Sequence, residues 1–181
     1  MEASIKQPRS LAARVLTVAS IWAVIALFVI GFLILTLYRN GAERGFREVL
    51  RAQLYNVINS VSLSPNGNLE GAPQLGDLRF SQPGSGWYWI VDLVGETPSL
   101  RMDSVSLGDR TVAVVSSQEV PFNNRYERVY QSEDSNGLAV MVAETEVELG
   151  DDGEVARFRV TGNMDALNSD VVAFSRQLIL F

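Results

Sequence analysis

The chain has no cysteine and no histidine, and Lys6 is its one lysine among 15 cationic residues. Without cysteine there is no disulfide framework. Without either residue type, zinc sites built on thiolate or imidazole are excluded. So are Ser-His-Asp and Cys-His catalysis. Positive charge is scarce as well: the 181 residues carry a net charge of −6. A chain with a pI near 4.7 is a poor partner for nucleic acid, whose phosphates need clustered cations. A metal ion held by carboxylates alone stays open.

What is present in abundance is apolar length. Residues 15–38 read VLTVASIWAVIALFVIGFLILTLY, without one charge between Arg14 and Arg39. As a helix this run spans roughly 36 Å, against about 30 Å of hydrocarbon. It predicts a transmembrane helix, with Tyr38 at the far water boundary. A cleaved secretory signal is the alternative, but its apolar region would be unusually long, and no small-x-small cleavage site precedes Arg39. Residues 1–14 carry Lys6, Arg9 and Arg14 against Glu2 and suit a cytoplasmic tail. Arg39, Arg44, Arg47 and Arg51 cloud that asymmetry, so the size of the following domain places residues 39–172 outside the cell membrane.

Beyond the span, Phe46, Leu50, Leu54, Val57 and Val61 recur at helical spacing through residues 39–63, with Pro65 and Asn66-Gly67 as the stop. This stripe packs on the chain's own sheet or, in part, on a second copy. Residues 70–86 read as loop. Strands are expected at 87–93, 99–107, 111–117 and 125–132, the first with Trp87, Trp89 and Val91 on one face and Tyr88, Ile90 and Asp92 on the other. Gly95 and Pro98 mark the turn after that strand. Asn136-Gly137 marks another turn. Residues 138–149 and 154–161 then form a hairpin. With Leu149 opposite Glu154, the register sets Glu148 against Val155, Glu146 against Arg157 and Glu144 against Arg159. It sets Val147 against Ala156, Thr145 against Phe158 and Ala143 against Val160, so one face is charged and the other mostly apolar. The charged face reads as solvated. Glu148, Asp151, Asp152 and Glu154 remain as a candidate calcium or magnesium patch, although the loop lacks an EF-hand pattern.

Residues 163–181 are helical again. Met164, Leu167, Val171, Phe174, Leu178 and Phe181 form a heptad seam, with Asn163 as cap and Asp165 near the helix start. The chain turns wholly apolar at LILF, which predicts that residues 173–181 begin a second transmembrane helix. The fold class is α/β in the α+β sense: an antiparallel central sheet with a long N-terminal helix continuous with a transmembrane helix. Trp87, Tyr88, Trp89 and Arg101 are the candidate ligand pocket, aromatic walls with a cation; aromatics at strand positions equally suit a core. Asp77, Asp92, Asp103 and Asp109 offer carboxylates for acid–base chemistry, in no diagnostic spacing.

The block GDLRFSQPGSGWYWIVDL, residues 76–93, resembles the segment RF-x-QP-x-SGWYW of the periplasmic part of proteobacterial sensor histidine kinases related to the PhoQ type. The strand LAVMVAETEVEL and the exit DALNSDVVAFSRQLILF are similar to the same group. Where that group often carries an Arg-Ser-x-Ser-Leu-Trp-like segment, this chain reads SLRMDSVSL. The resemblance implies a PDC-like sensor domain, a homodimer in the bacterial inner membrane and a domain facing the periplasm, with a ligand it does not identify. It also implies a cytoplasmic part that binds ATP and magnesium and passes phosphate to a response regulator. That machinery is absent from these residues: there is no phosphoacceptor histidine, and the glycines lie in turns rather than in a nucleotide-binding box. Two helices tied to one sheet would pass a signal by displacement between packed states. The competing expectation is a non-signalling, membrane-anchored periplasmic binding or assembly module.

Overall fold

The computed structural model describes residues 11–95, 100–150 and 153–179. Residues 1–10, Pro98, Asp151, Asp152 and Phe181 lie outside them, as do the side chains of Val171 and Leu178.

One helix, α1 (Leu11–Ile58), runs unbroken for 48 residues. Among the described residues it is the one helix long and apolar enough to cross a membrane. From Val15 to Leu37 it is apolar on every side, with nearly every side chain exposed among the described residues. The Thr36 hydroxyl there donates to the Phe32 carbonyl at 2.8 Å, which suits a polar group in a stretch with no water to satisfy it. Past Tyr38 the helix becomes one-sided, and Leu50, Leu54 and Val57 are buried.

The helix stops earlier than its apolar spacing predicts. It ends at Ile58, and Val61–Leu63 (β1) pairs antiparallel with Leu69–Gly71 (β2). Pro65 and Asn66-Gly67 therefore close a small hairpin rather than end a helix. The Ser64 N–H donates to the Asn68 carbonyl at 2.8 Å, and Gly67 takes the left-handed conformation the turn requires.

The main sheet holds Trp89–Leu93 (β3), Arg101–Asp103 (β4), Glu127–Glu133 (β5), Ala139–Leu149 (β6) and Glu154–Asn163 (β7). Their order is β4-β3-β7-β6-β5, and every neighbour is antiparallel. The β6–β7 register is the one the turn and the alternation predict, with Leu149 opposite Glu154 and Glu144 opposite Arg159. The expected strand at 111–117 does not form; its one ladder contact is a bridge from Val112 to Asp134. Its valines pack flat over the sheet instead, and Val112 and Val115 join the outer cluster. The expected strand at 99–107 shortens to β4, because Ser104 and Ser106 turn their hydroxyls onto the backbone of Trp89 and Trp87.

The two faces differ in kind. On the inner face Trp87, Trp89, Val91, Met141, Phe158 and Val160 pack under α1. Gly162 lets the helix approach: a Cβ there would lie 2.6 Å from Phe46 Cζ and 3.0 Å from Leu50 Cδ2. The outer face is half apolar, around Tyr88, Ile90, Leu107, Val140 and Val142, and half charged. The chain from Ser104 to Tyr126 covers it.

The final helix, α2 (Met164–Ile179), begins with the Asn163 side chain accepting from the Asp165 N–H at 2.8 Å, the expected cap. Leu167 is buried. The helix runs back along α1: the chain leaves β7 beside Phe46, and Phe174 then stacks on Tyr38 with ring centroids 4.0 Å apart.

Candidate functional site

Trp87, Tyr88, Trp89 and Arg101 do not converge on one pocket. The alternation of β3 divides them. Trp87 enters the inner core, where Phe46 and Phe80 meet it edge-on at 5.4 and 5.9 Å and the Arg79 guanidinium lies 3.7 Å from its ring centroid. Trp89 is also buried inward and forms a wall of a cleft of about 410 Å³ with Phe80, Leu78 and Val105. Asp77 opens the turn into that cleft; hydrogen bonds from the Arg79 side chain hold its carboxyl below the usual carboxylate range. Tyr88 points the other way. Its hydroxyl donates to Asp134 at 3.0 Å and accepts from Arg110 at 3.2 Å. Burial and the Asp134 carboxylate push its pKa up, against the pull of Arg110. Arg101 sits on the edge strand, 2.9 Å from Asp103.

The SGWYW block is thus a structural knot. The Ser85 hydroxyl accepts from the Trp87 N–H at 3.1 Å, and Gly86 takes a positive φ where a Cβ would meet Asn163 at 2.8 Å. Thr161 bonds both Gly86 and Tyr88.

The charged half of the outer face is the candidate site. Its alternation is legible in the sequence, but its solvation is not as expected: Glu144 is 0% exposed. Register places Glu144 opposite Arg159, yet its carboxylate is held from β5 and β7 together. Arg128 donates at 2.7 Å, the Tyr130 hydroxyl at 2.5 Å, and Arg157 approaches to 3.3 Å. Arg159 turns instead to Asp92 of β3 and leaves its Nε without a partner among the described residues. Burial, and then the hydrogen bond to Glu144, push the Tyr130 phenol pKa up. Arg157 also pairs with Glu146 at 2.7 Å, and these two side chains are 28% and 27% exposed. They open into a cleft of about 500 Å³ roofed by Val114, Val115, Ser116 and Phe122, with Arg128 at its base.

This arrangement is suited to binding. It offers an arginine fork and a carboxylate side by side under an apolar roof, and a ligand enters by exchanging partners with them. Sequence reasoning missed Arg128 and Arg157 as site residues. Arg157 was readable as the partner of Glu146. Arg128 lies directly opposite Glu144 across the β5–β6 hairpin, a pairing that the Asn136-Gly137 turn signal could have found had its register been worked through.

Of the four further carboxylates, Asp92 and Asp103 flank one arginine, Arg101, at 3.9 and 2.9 Å, while Asp77 pairs with Arg79 and Asp109 is exposed. Of the candidate metal patch, Asp151 and Asp152 lie outside the described residues. Glu148 and Glu154 stand at the two ends of that turn, Glu148 opposite Val155 and Glu154 opposite Leu149. Among the described residues no three carboxylates are placed to hold a metal ion. No protein family, curated protein or solved structure matches this chain.

Proposed function

We propose that this chain is the extracytoplasmic input domain of a membrane-bound sensor histidine kinase, anchored in a bacterial inner membrane and working as a homodimer. The observation that carries the reading is the pair of helices on one sheet. α1 passes from an apolar span directly into the core, and α2 leaves the sheet antiparallel to it and meets it again at Tyr38. A ligand that favours one packing of the outer face shifts the sheet, and the sheet has two rigid levers toward the membrane. The antiparallel five-stranded sheet with a long N-terminal helix packed on it is in keeping with the PDC-like reading. α2 is then the approach to a second span. The cytoplasmic part of such a kinase would bind ATP and magnesium and pass phosphate to a response regulator.

The test is the parent reading frame and its signalling. A dimerisation domain with a phosphoacceptor histidine and an ATP-binding domain should follow Phe181. Phe174→Asp in that protein should abolish the response of autophosphorylation to stimulus. A stop codon after Phe181, or an unaltered response in the variant, overturns the proposal and favours an anchored binding module.

A further inference from the structure

A second cationic feature adjoins the outer-face cleft at Arg128, where α1 passes the edge strand β5. Two hollows of about 450 and 250 Å³ share Arg51, Asn123 and Glu127. Their walls carry four arginines, Arg47, Arg51, Arg125 and Arg128, against one carboxylate, Glu127.

Internal pairing consumes Arg128, whose donors go to Glu144 and to the Val120 carbonyl, and leaves donors on the other three. Glu127 spends one oxygen on Arg51 Nε at 3.0 Å and the other on the Tyr55 hydroxyl. Arg51 gives Nη1 to Glu48 at 2.6 Å and keeps Nη2. Arg47 has one carboxylate approach, Glu43 at 3.8 Å. The Arg125 side chain is exposed and has no hydrogen-bond or ion-pair partner among the described residues. The corner that presents it is fixed. Asn123 Oδ1 accepts from the N–H groups of Arg125 and Glu127 at 2.8 and 3.1 Å, and Tyr126 is held at a φ of 57°.

We infer that this corner is a binding site for a phosphate group, gripped by Arg51 of the helix and Arg125 of the loop, with Arg47 beside it in the adjoining hollow. Guanidinium forks arriving from two elements match an oxyanion with several acceptor oxygens. The neighbouring Asn124 amide supplies a further donor. The group can come from solution or from a lipid headgroup. Arg47 lies nine residues past Tyr38, about 14 Å along the helix, farther than a headgroup layer of roughly 5–8 Å reaches. That distance favours a soluble phosphate. A phosphate here bridges α1 to the sheet edge, at Glu127, next to Arg128 of the buried network. Its effect on signalling rests on the function proposed above; its binding does not.

The test uses the full chain in phosphatidylcholine nanodiscs, titrated with inorganic phosphate against chloride of equal ionic strength and followed by thermal unfolding. A saturable rise in Tm is expected. Arg125→Ala, which breaks no internal bond, should weaken it about tenfold, the loss of one charge-assisted hydrogen bond. Arg101→Ala, on the opposite edge strand, should leave the phosphate-induced shift intact. A second arm replaces phosphate with phosphatidylglycerol in the nanodisc; stabilisation there alone, lost in Arg125→Ala, assigns the same site to a headgroup. No shift beyond chloride in either arm overturns the site, as does a shift that Arg125→Ala and Arg47→Ala leave unchanged. Either failure leaves the Phe174 test of the sensor reading untouched.

Discussion

At the scale of single residues, two buried carboxylates set the stability of the outer face. Glu144 is fully buried and holds Arg128, Tyr130 and Arg157 at once. Removing one member of such a network strands the others without water. Glu144→Ala should therefore cost about 3–5 kcal/mol, while Arg128→Met/Glu144→Leu, which removes both charges, should recover much of the loss. Thermal unfolding of the full chain followed by tryptophan fluorescence measures both. Equal losses in the single and double variants would contradict the buried-network account. Asp134 gives a pH dependence. Burial alone would raise its pKa. Hydrogen bonds from the Leu138 and Asn136 N–H groups, Tyr88 and Arg110 overcome that and hold it below the ordinary value of about 3.9. A depressed carboxyl stabilises the fold above its unfolded pKa and loses that contribution as pH falls through the folded value. The chain should lose Tm below about pH 4, and Asp134→Asn should flatten that decline while lowering Tm at pH 7. An unchanged acid limb in the variant would assign the decline to other groups.

At the scale of elements, legibility followed the range of the forces. The β6–β7 register was readable because one turn and one alternation of charged and apolar residues decide it within 25 residues. The faces of β3 were readable for the same reason. The end of α1 was not, since Val61 suits a helical stripe and a strand equally and only pairing with β2 decides. Nor was the fate of residues 111–117, whose valines have strand propensity but satisfy it by packing on the outer face. The charged pattern of Glu144 and Glu146 was visible; the roof that buries Glu144 comes from a loop far away in sequence. The close fit of α1 to β7 yields a prediction of its own. A Cβ at Gly162 meets Phe46 and Leu50, so Gly162→Val should force the helix off the sheet and cost about 1–3 kcal/mol. Gly162→Val with Phe46→Ala should recover part of that. A neutral single variant would mean that the helix does not rest on β7.

At the scale of the whole molecule, what matters is how firmly the two helices are joined. α1 is fastened to the sheet by buried side chains and by the Glu127 link to Arg51 and Tyr55. Farther out, at the edge of the apolar run, the Tyr38–Phe174 stack joins α2 to α1 among the described side chains. Such a stack is worth about 0.5–1.5 kcal/mol beyond its buried area. That is roughly a factor of two to ten in population, within reach of a ligand with modest preference for one state. On the function proposed above, a stiff joint at the sheet and a softer one at this stack are the order a lever needs. The absence of cysteine makes this measurable, because labels go only where thiols are introduced. With spin labels at Asn40 and Arg176, both exposed, the full chain in nanodiscs should give a narrow inter-label distance distribution. Phe174→Asp should broaden it and leave the Tm of the sheet within about 1 kcal/mol equivalent of the parent, since the sheet core does not contain that ring. A distribution that stays narrow would show that contacts other than the stack join the helices, and a fall in sheet stability would show that the joint is not separable from the core.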